Sequence, residues 1–433
     1  MSAAETKQSA ITRQDPRYEE IFDLIAHARL MGVDLVENPF PILAAARAKA
    51  PVHPGTLFDI LGIVPRNRVQ MFEVERPHFI ALSFATIDEL LTNNEVYSSS
   101  VYYEYLPTKQ FGKSILHLGG TEHRQYRGTV QSLFTRRNVV EWWQPTWITD
   151  LVNELVSTFD KKGKADLNQE LCARLPMHTI TRAFGLPSED ALDFRYHLMR
   201  GLNMKVSKEE RAVSEEVVGR LLAQAILARR AKPGNDVITR LVAAEFIDED
   251  GTRRVLSDDE IVSFCKLIIA AGGGTTWRQL GITLVALLTH PEQFEAVRND
   301  RKLIDAAITE SLRWHNTSTH FFRLTTQDVE LGGVEIPKGA IVEFNLNAAN
   351  RDPARWPDPD RYDIYRPQQR HLAFSAGPHT CLGMYVAQAE MRTAINALID
   401  RCPNMRINPD FDPPRVTGTV EMRGPSHVNV VFG

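Results

Sequence analysis

Residues 374–392, FSAGPHTCLGMYVAQAEMR, decide how the rest of the chain is read. Gly377 and Pro378 force a loop, and the apolar spacing after it predicts an amphipathic helix running toward Leu398. Cys381 therefore stands at a helix entry. There the backbone N–H groups of Leu382 and Gly383 and the positive end of the helix dipole favour thiolate over thiol. Glycines on either side, Gly377 and Gly383, let a flat ligand approach the backbone closely, and Phe374 is placed to shield the sulfur from water. A lone cysteine is ordinarily an inert small hydrophobe. Cys172, Cys265 and Cys402 are read that way, because no C-x-x-C spacing points to a zinc site or a disulfide framework. Cys381 is read as chemically active.

A second stretch, AAGGGTTW at residues 270–277, sits inside a long helical pattern. Ser257 and Glu260 form a capping box, with Asp258 and Asp259 in the first turn. The pattern continues to LVALLTH, where Pro291 opens the next helix. About thirty residues at about 1.5 Å each give a helix of roughly 45 Å, long enough to cross a domain through its core. Each of the three glycines near its midpoint costs about 0.5–1 kcal/mol relative to alanine, and two β-branched threonines follow.

The whole chain has 433 residues, a formal net charge of -4 and 43% hydrophobic residues. Such a near-neutral charge argues against non-specific nucleic-acid binding, which needs a strongly basic surface. The start, MSAAETKQSAITRQDPRYEE, lacks the apolar run of a signal peptide, and no stretch reads as a membrane span or anchor, so a cytoplasmic location is expected. Strand-like pieces, VQMFEV and FIALSF, precede a mainly helical region from 137 to 315. Further strand-like pieces, VELGGVEIP and AIVEFNLNAAN, come after residue 320. A proline-rich stretch, RDPARWPDPDRYDIYRP, then leads to one more helix and a strand-like C-terminus. No repeat or linker divides this pattern, which predicts one mainly helical domain over residues 1–433 with small β-sheets attached.

The string F-x-x-G-x-H-x-C-x-G, met by Phe374, Gly377, His379, Cys381 and Gly383, resembles the haem-ligand loop of the cytochrome P-450 family, the haem-thiolate monooxygenases. Glu310 and Arg313 in ITESLRWH share a helix face at i, i+3 spacing. They match the family's Glu-x-x-Arg, and Arg366 matches its arginine partner in a structural ionic network. The resemblance runs over roughly residues 90 to 433. It implies the P-450 fold, mainly α with small β-sheets and a long central helix over the haem, in a soluble bacterial-type domain not fused to a reductase. The cofactor implied is one haem b, its iron held by Cys381. Its propionates would meet His123, Arg127, Arg323 and His379, and Ala271 would face the haem.

The activity implied is oxidation of a medium-sized hydrophobic molecule by O2 with two electrons. A thiolate pushes electron density toward the iron and favours O–O cleavage. Absent side chains at Gly272 and Gly273 would let the helix pass close to the haem, with a relaxed hydrogen-bond ladder admitting oxygen and a water. The run resembles small-Gly-x-acid-Thr-Thr, which puts Thr275 at the oxygen-handling hydroxyl and Gly274 where an acid is usual. With no acid there, a relay of water organised by Thr275, with Thr276 or a more distant acid, is expected to deliver protons. The same gap leaves open a peroxygenase that takes hydrogen peroxide, or a haem-binding sensor or carrier without turnover. The family pattern also implies pocket residues: Leu267 and Ala271, Ser318 and Thr319, Glu421 and Met422. Tyr102, Tyr103 or Tyr105 would form a roof or belong to the core. This lining suits a terpenoid, aromatic or steroid-like substrate. Electrons from NAD(P)H would arrive through a separate ferredoxin or flavodoxin with its reductase, and Arg124, Arg136, Arg137 and Arg370 could greet an acidic partner.

Overall fold

The capping box does form. Ser257 accepts the Glu260 N–H at 3.2 Å, the Glu260 carboxylate accepts the Ser257 N–H at 2.7 Å, and a helix of 32 residues, Asp258–Thr289, starts there. In this computed structural model, which describes residues 35–63, 71–187, 190–202 and 206–433 with Ile25 and Ala28, that helix is the centre of the molecule. The polar N-terminal stretch read above for signal peptides lies outside the described residues. From Thr276 to Leu288 every residue of the helix is buried. A helix apolar on all sides belongs inside a protein rather than on its surface. It packs against the helices Arg174–Ala183, Asp190–Leu202, Lys208–Ala231, Leu303–Trp314 and Met384–Arg401. One continuous core runs through these helices and includes Trp143, Trp147 and Trp277.

The glycines do not interrupt the helix, which stays α-helical through residues 270–277. The expected loosening of its hydrogen-bond ladder is therefore absent.

A five-stranded sheet lies to one side, in the order Val52–Pro54, His78–Ala81, Ile341–Asn345, His320–Thr325, Tyr97–Ser98. Its pairs are antiparallel apart from His78–Ala81 with Ile341–Asn345. Ile341–Asn345 is buried along its whole length, as a central strand covered on both faces should be. VELGGVEIP, read as strand-like, forms a hairpin, Val329–Leu331 with Val334–Ile336, turning through Gly332 and Gly333 at φ 57° and 81°. Residues 71–74 of VQMFEV do not form a strand. Its first two residues lie outside the described region, and Phe72 makes only an isolated bridge to Tyr105. Near the C-terminus the hairpin Thr417–Gly418 with Arg423–Gly424 is tied to the main sheet's approach by a bridge between Ser318 and Met422.

The segment before the cysteine loop is irregular and proline-rich, so something other than ladder hydrogen bonds must hold it. Glu310 and Arg313, 4% and 1% exposed, pair in two bonds of 2.7 and 2.8 Å, and Arg366 joins the same carboxylate at 3.2 Å. Arg313 also donates to the carbonyls of Asn350, Pro359 and Arg361. The three residues paired in the sequence reading thus staple that segment to the helix Leu303–Trp314. Among the described residues, no helix is long and apolar enough to cross a membrane.

Candidate active site

The cysteine loop is closed by its own backbone. The Cys381 N–H donates to the Phe374 carbonyl at 2.8 Å, and the Thr380 N–H to the Gly377 carbonyl at 3.1 Å. Gly377 sits at φ 66°, and a Cβ there would lie 2.3 Å from the Leu91 carbonyl oxygen. The protein itself requires this glycine, because the loop is pressed against the end of the helix Phe84–Thr92. This contact within the protein is a second reason for the glycine beside the ligand approach expected there. A Gly377→Ala substitution is expected to destabilise the fold by about 2–3 kcal/mol, from backbone strain and the collision together. A urea unfolding midpoint would measure it. Gly383 fits its expectation, since a Cβ there would meet nothing within 4 Å.

Cys381 is exposed, whereas Cys172, Cys265 and Cys402 are buried. The protein mass around its loop nevertheless desolvates the thiol and pushes it up, offset in part by the Gly383 N–H and by Arg127. On the metal-free thiol this desolvation is the largest single influence, while the Gly383 N–H and Arg127 act toward thiolate as expected. A bound metal ion would reverse this, because coordination removes the thiol proton outright.

Four donors from three segments converge beside the loop. His123 and Arg127 come from the helix Gly120–Gln131, Arg323 from the sheet, and His379 from the loop itself. The His123 and His379 rings lie 4.2 Å apart, His379 Nε2 is 3.0 Å from Ser99 Oγ, and Arg127 donates to the Thr380 carbonyl at 2.7 Å. Burial holds the His379 imidazole down at about 2, reinforced by Arg323, His123 and Arg127. Burial likewise holds His123 at about 4. His123 Nε2 and Arg323 Nε are buried without hydrogen-bond partners. Among the described residues no carboxylate pairs with any of the four, and buried donors left unpartnered call for an anionic group from outside the chain. The propionates of a haem would satisfy that need, with the open Cys381 sulfur and the open side of Gly383 next to them. The donor set therefore fits haem.

Leu267, Ala271 and Thr275 follow one another at four-residue spacing along one face of the central helix. Ala271 is exposed in the middle of this otherwise buried element, Thr275 is half-buried and Leu267 buried. The Thr275 hydroxyl donates to the Ala271 carbonyl at 2.7 Å, so its proton is engaged while its lone pairs remain free to accept. Thr276 is buried about 100° round the helix and does not share that face.

The glycines have a different use from the one expected. A Cβ at Gly272 would lie 2.6 Å from Ile180 Cδ1, so this glycine permits close packing against the helix Arg174–Ala183. A Cβ at Gly273 would lie 2.7 Å from Arg195 Nη1, and one at Gly274 would lie 3.1 Å from Arg278 Nη1 and 3.5 Å from Arg195 Nη2. Neither arginine was picked out in the sequence. Arg278 could have been, since it stands four residues after Gly274 and donates to its carbonyl at 2.9 Å.

The expected pocket residues divide. Glu421 is half-buried and accepts from the Tyr105 hydroxyl at 3.2 Å, and Met422 beside it is half-buried too. Tyr102 is buried, its oxygen accepting the Phe322 N–H at 3.2 Å. Tyr103 is 43% exposed and rests on the His117 ring. Thr319 is a correction: it is 1% exposed and donates its hydroxyl to the Val420 carbonyl, so it positions the hairpin and is buried away from a ligand. Ser318 beside it is half-buried. Of the four basic residues assigned to a partner, Arg137 pairs with Glu141 at 2.9 Å and Arg370 with Asp88 at 2.6 Å. Arg124 donates to Thr121, and Arg136 is exposed.

Comparison with known proteins points the same way. The family model for cytochrome P450 matches residues 196–422. The putative cytochrome P450 133B2 of Xylella fastidiosa is 33% identical over 341 residues, covering 75% of this chain and 84% of that protein. The cytochrome P450 monooxygenase PikC of Streptomyces venezuelae is 30% identical over 384 residues, 87% of each chain. Among solved structures, a Bacillus megaterium relative in complex with testosterone has a TM-score of 0.77 at 25% identity, covering 92% of this chain and 99% of its own. With the cysteine loop, the long central helix and these relatives in agreement, the chain belongs to the cytochrome P450 family of monooxygenases.

Proposed function

We propose that Cys381 holds the iron of a haem b whose propionates rest on His123, Arg127, Arg323 and His379. The enzyme then oxidises a medium-sized hydrophobic molecule with electrons from a separate ferredoxin or flavodoxin. The observation that carries this reading is the cluster of buried donors without acid partners, set beside the exposed cysteine. When bound, haem supplies dioxygen activation, strengthened by electron density from a thiolate ligand. The residues of the chain supply the setting. The Gly383 N–H and Arg127 stabilise negative charge on the Cys381 sulfur. Leu267 and Ala271 present an apolar wall toward the substrate, and Glu421, steadied by Tyr105, offers it a polar contact. The steroid bound by the Bacillus megaterium relative supports this size class.

Thr275 manages protons on the same face. Its oxygen accepts from a water while its own proton stays on the Ala271 carbonyl, which holds that water in one place. Thr275→Ala is expected to divert most NAD(P)H-derived electrons to hydrogen peroxide, whereas Thr275→Ser, which keeps the hydroxyl, stays coupled. Peroxide formed per NAD(P)H consumed is the measurement, and equal coupling in both variants would remove Thr275 from the relay. The wider reading is tested by turnover with ferredoxin, its reductase and dioxygen. Turnover with hydrogen peroxide alone, or none with any electron source, would contradict it.

A further inference from the structure

Two buried cations stand outside the haem-facing cluster. Arg195, 2% exposed, comes from the helix Asp190–Leu202, and its Nε and Nη1 have no hydrogen-bond partner. Arg278, 4% exposed, lies over the Trp277 ring at 4.4 Å, donates Nη1 to the Gly274 carbonyl and leaves Nε unpartnered. Among the described residues no carboxylate pairs with either. Each guanidinium is a planar fork built to grip a carboxylate through two parallel bonds. A charge buried without a counter-charge is among the least favourable arrangements a fold can hold.

The two forks meet at one place. The position of a missing side chain on Gly274 is 3.1 Å from Arg278 Nη1 and 3.5 Å from Arg195 Nη2, while that on Gly273 is occupied by Arg195 Nη1 at 2.7 Å. The space that side chains at these two positions would take is filled by the two guanidinium groups. Burial brings Arg278 down to about 9, with Arg195 contributing by repulsion, and brings Arg195 down to about 10. An anion between them would relieve that repulsion. The parts that must move to admit it are the ends of two flexible side chains, with no backbone shift required.

We propose that Arg195 and Arg278 form a carboxylate-binding site at Gly274, one residue before Thr275, and that a carboxylate from outside the chain is gripped between the two guanidinium groups. The carboxylate is either a small free one or that of an acidic substrate. In the second role the site rests on the reading of Thr275 given above, because a carboxylate held next to Thr275 can take up a proton from bulk water and hand it on through water toward that residue. The binding itself does not depend on that reading.

The test uses the holoenzyme in a low-salt zwitterionic buffer, with sodium formate titrated against sodium chloride at equal ionic strength. Formate is expected to raise the unfolding midpoint by about 2 °C or more beyond chloride. Arg195→Gln should lose this response. Gly274→Asp should lose it as well, while starting from a higher midpoint, because its side chain supplies the carboxylate. No formate-specific shift in the wild type, or an undiminished one in Arg195→Gln, overturns the proposal. Should Arg195→Gln fail to fold, Gly274→Asp decides alone: an unraised midpoint with formate response intact overturns it. A fatty acid and its methyl ester separate the two sources. A haem spectral shift given by the acid only, and lost in Gly274→Asp, identifies the substrate's carboxylate. Equal shifts from both, with the formate effect present, identify a free one. Failure of the Thr275 variants to change coupling would leave these midpoint shifts unaffected.

Discussion

Cys381→Ser is expected to lose both the thiolate signature in the carbon monoxide spectrum of the reduced protein and dioxygen-dependent turnover, while unfolding at nearly the wild-type temperature. The loop's shape does not depend on the sulfur. It rests on backbone bonds from Cys381 to Phe374 and from Thr380 to Gly377, and on the seating of Gly377 against Leu91. Serine preserves all three and is close to cysteine in volume. Its hydroxyl, however, is far less acidic than a thiol and gives up its proton less readily to a metal, so the electron-rich ligand that favours O–O cleavage is gone. The other three cysteines are buried and cannot substitute. Circular dichroism would establish folding, and the carbon monoxide spectrum would establish the ligand. An unchanged spectrum in a folded Cys381→Ser would remove Cys381 as the ligand and with it the proposed site.

Glu310→Ala should be the most destabilising of the substitutions considered. The Glu310 carboxylate takes two bonds from Arg313 and one each from Arg366 and the Asp363 N–H. Removing it leaves the Arg313 guanidinium, 1% exposed, with carbonyls only and no counter-charge. Breaking a buried pair in this way costs about 3–5 kcal/mol, a large part of the roughly 5–15 kcal/mol that holds a typical domain together. The loss should also loosen the segment around Arg361 and Arg366, which leads into the cysteine loop, so haem retention should fall with stability. A urea titration read by both tryptophan fluorescence and haem absorbance would detect each effect. A change below about 1 kcal/mol would mean that the pair behaves like one at the surface. Adding Arg313→Met to Glu310→Ala should recover part of the loss, because it removes the stranded charge.

What the chain announced by itself was local or carried by a motif. Ser257 and Glu260 are three residues apart, and their capping box needs only a turn of helix to form, so the start of the central helix was readable. The loop at Cys381 and the pair Glu310 and Arg313 were readable for the same reason: each constellation is defined within a few positions. Several of the corrections concern contacts between segments far apart in sequence. Gly377 answers to Leu91, Thr319 to Val420, Gly272 to Ile180, and Gly273 and Gly274 to Arg195. The absence of a Cβ says that something approaches, but only the packing of helices says what. The sequence determined the fold, the ionic staple and the chemistry of the cysteine loop. Tertiary structure alone decided which side chains fill the space beside the three glycines, and it put two unpaired guanidinium groups at Gly274, because that placement depends on how the helix Asp190–Leu202 crosses the central one.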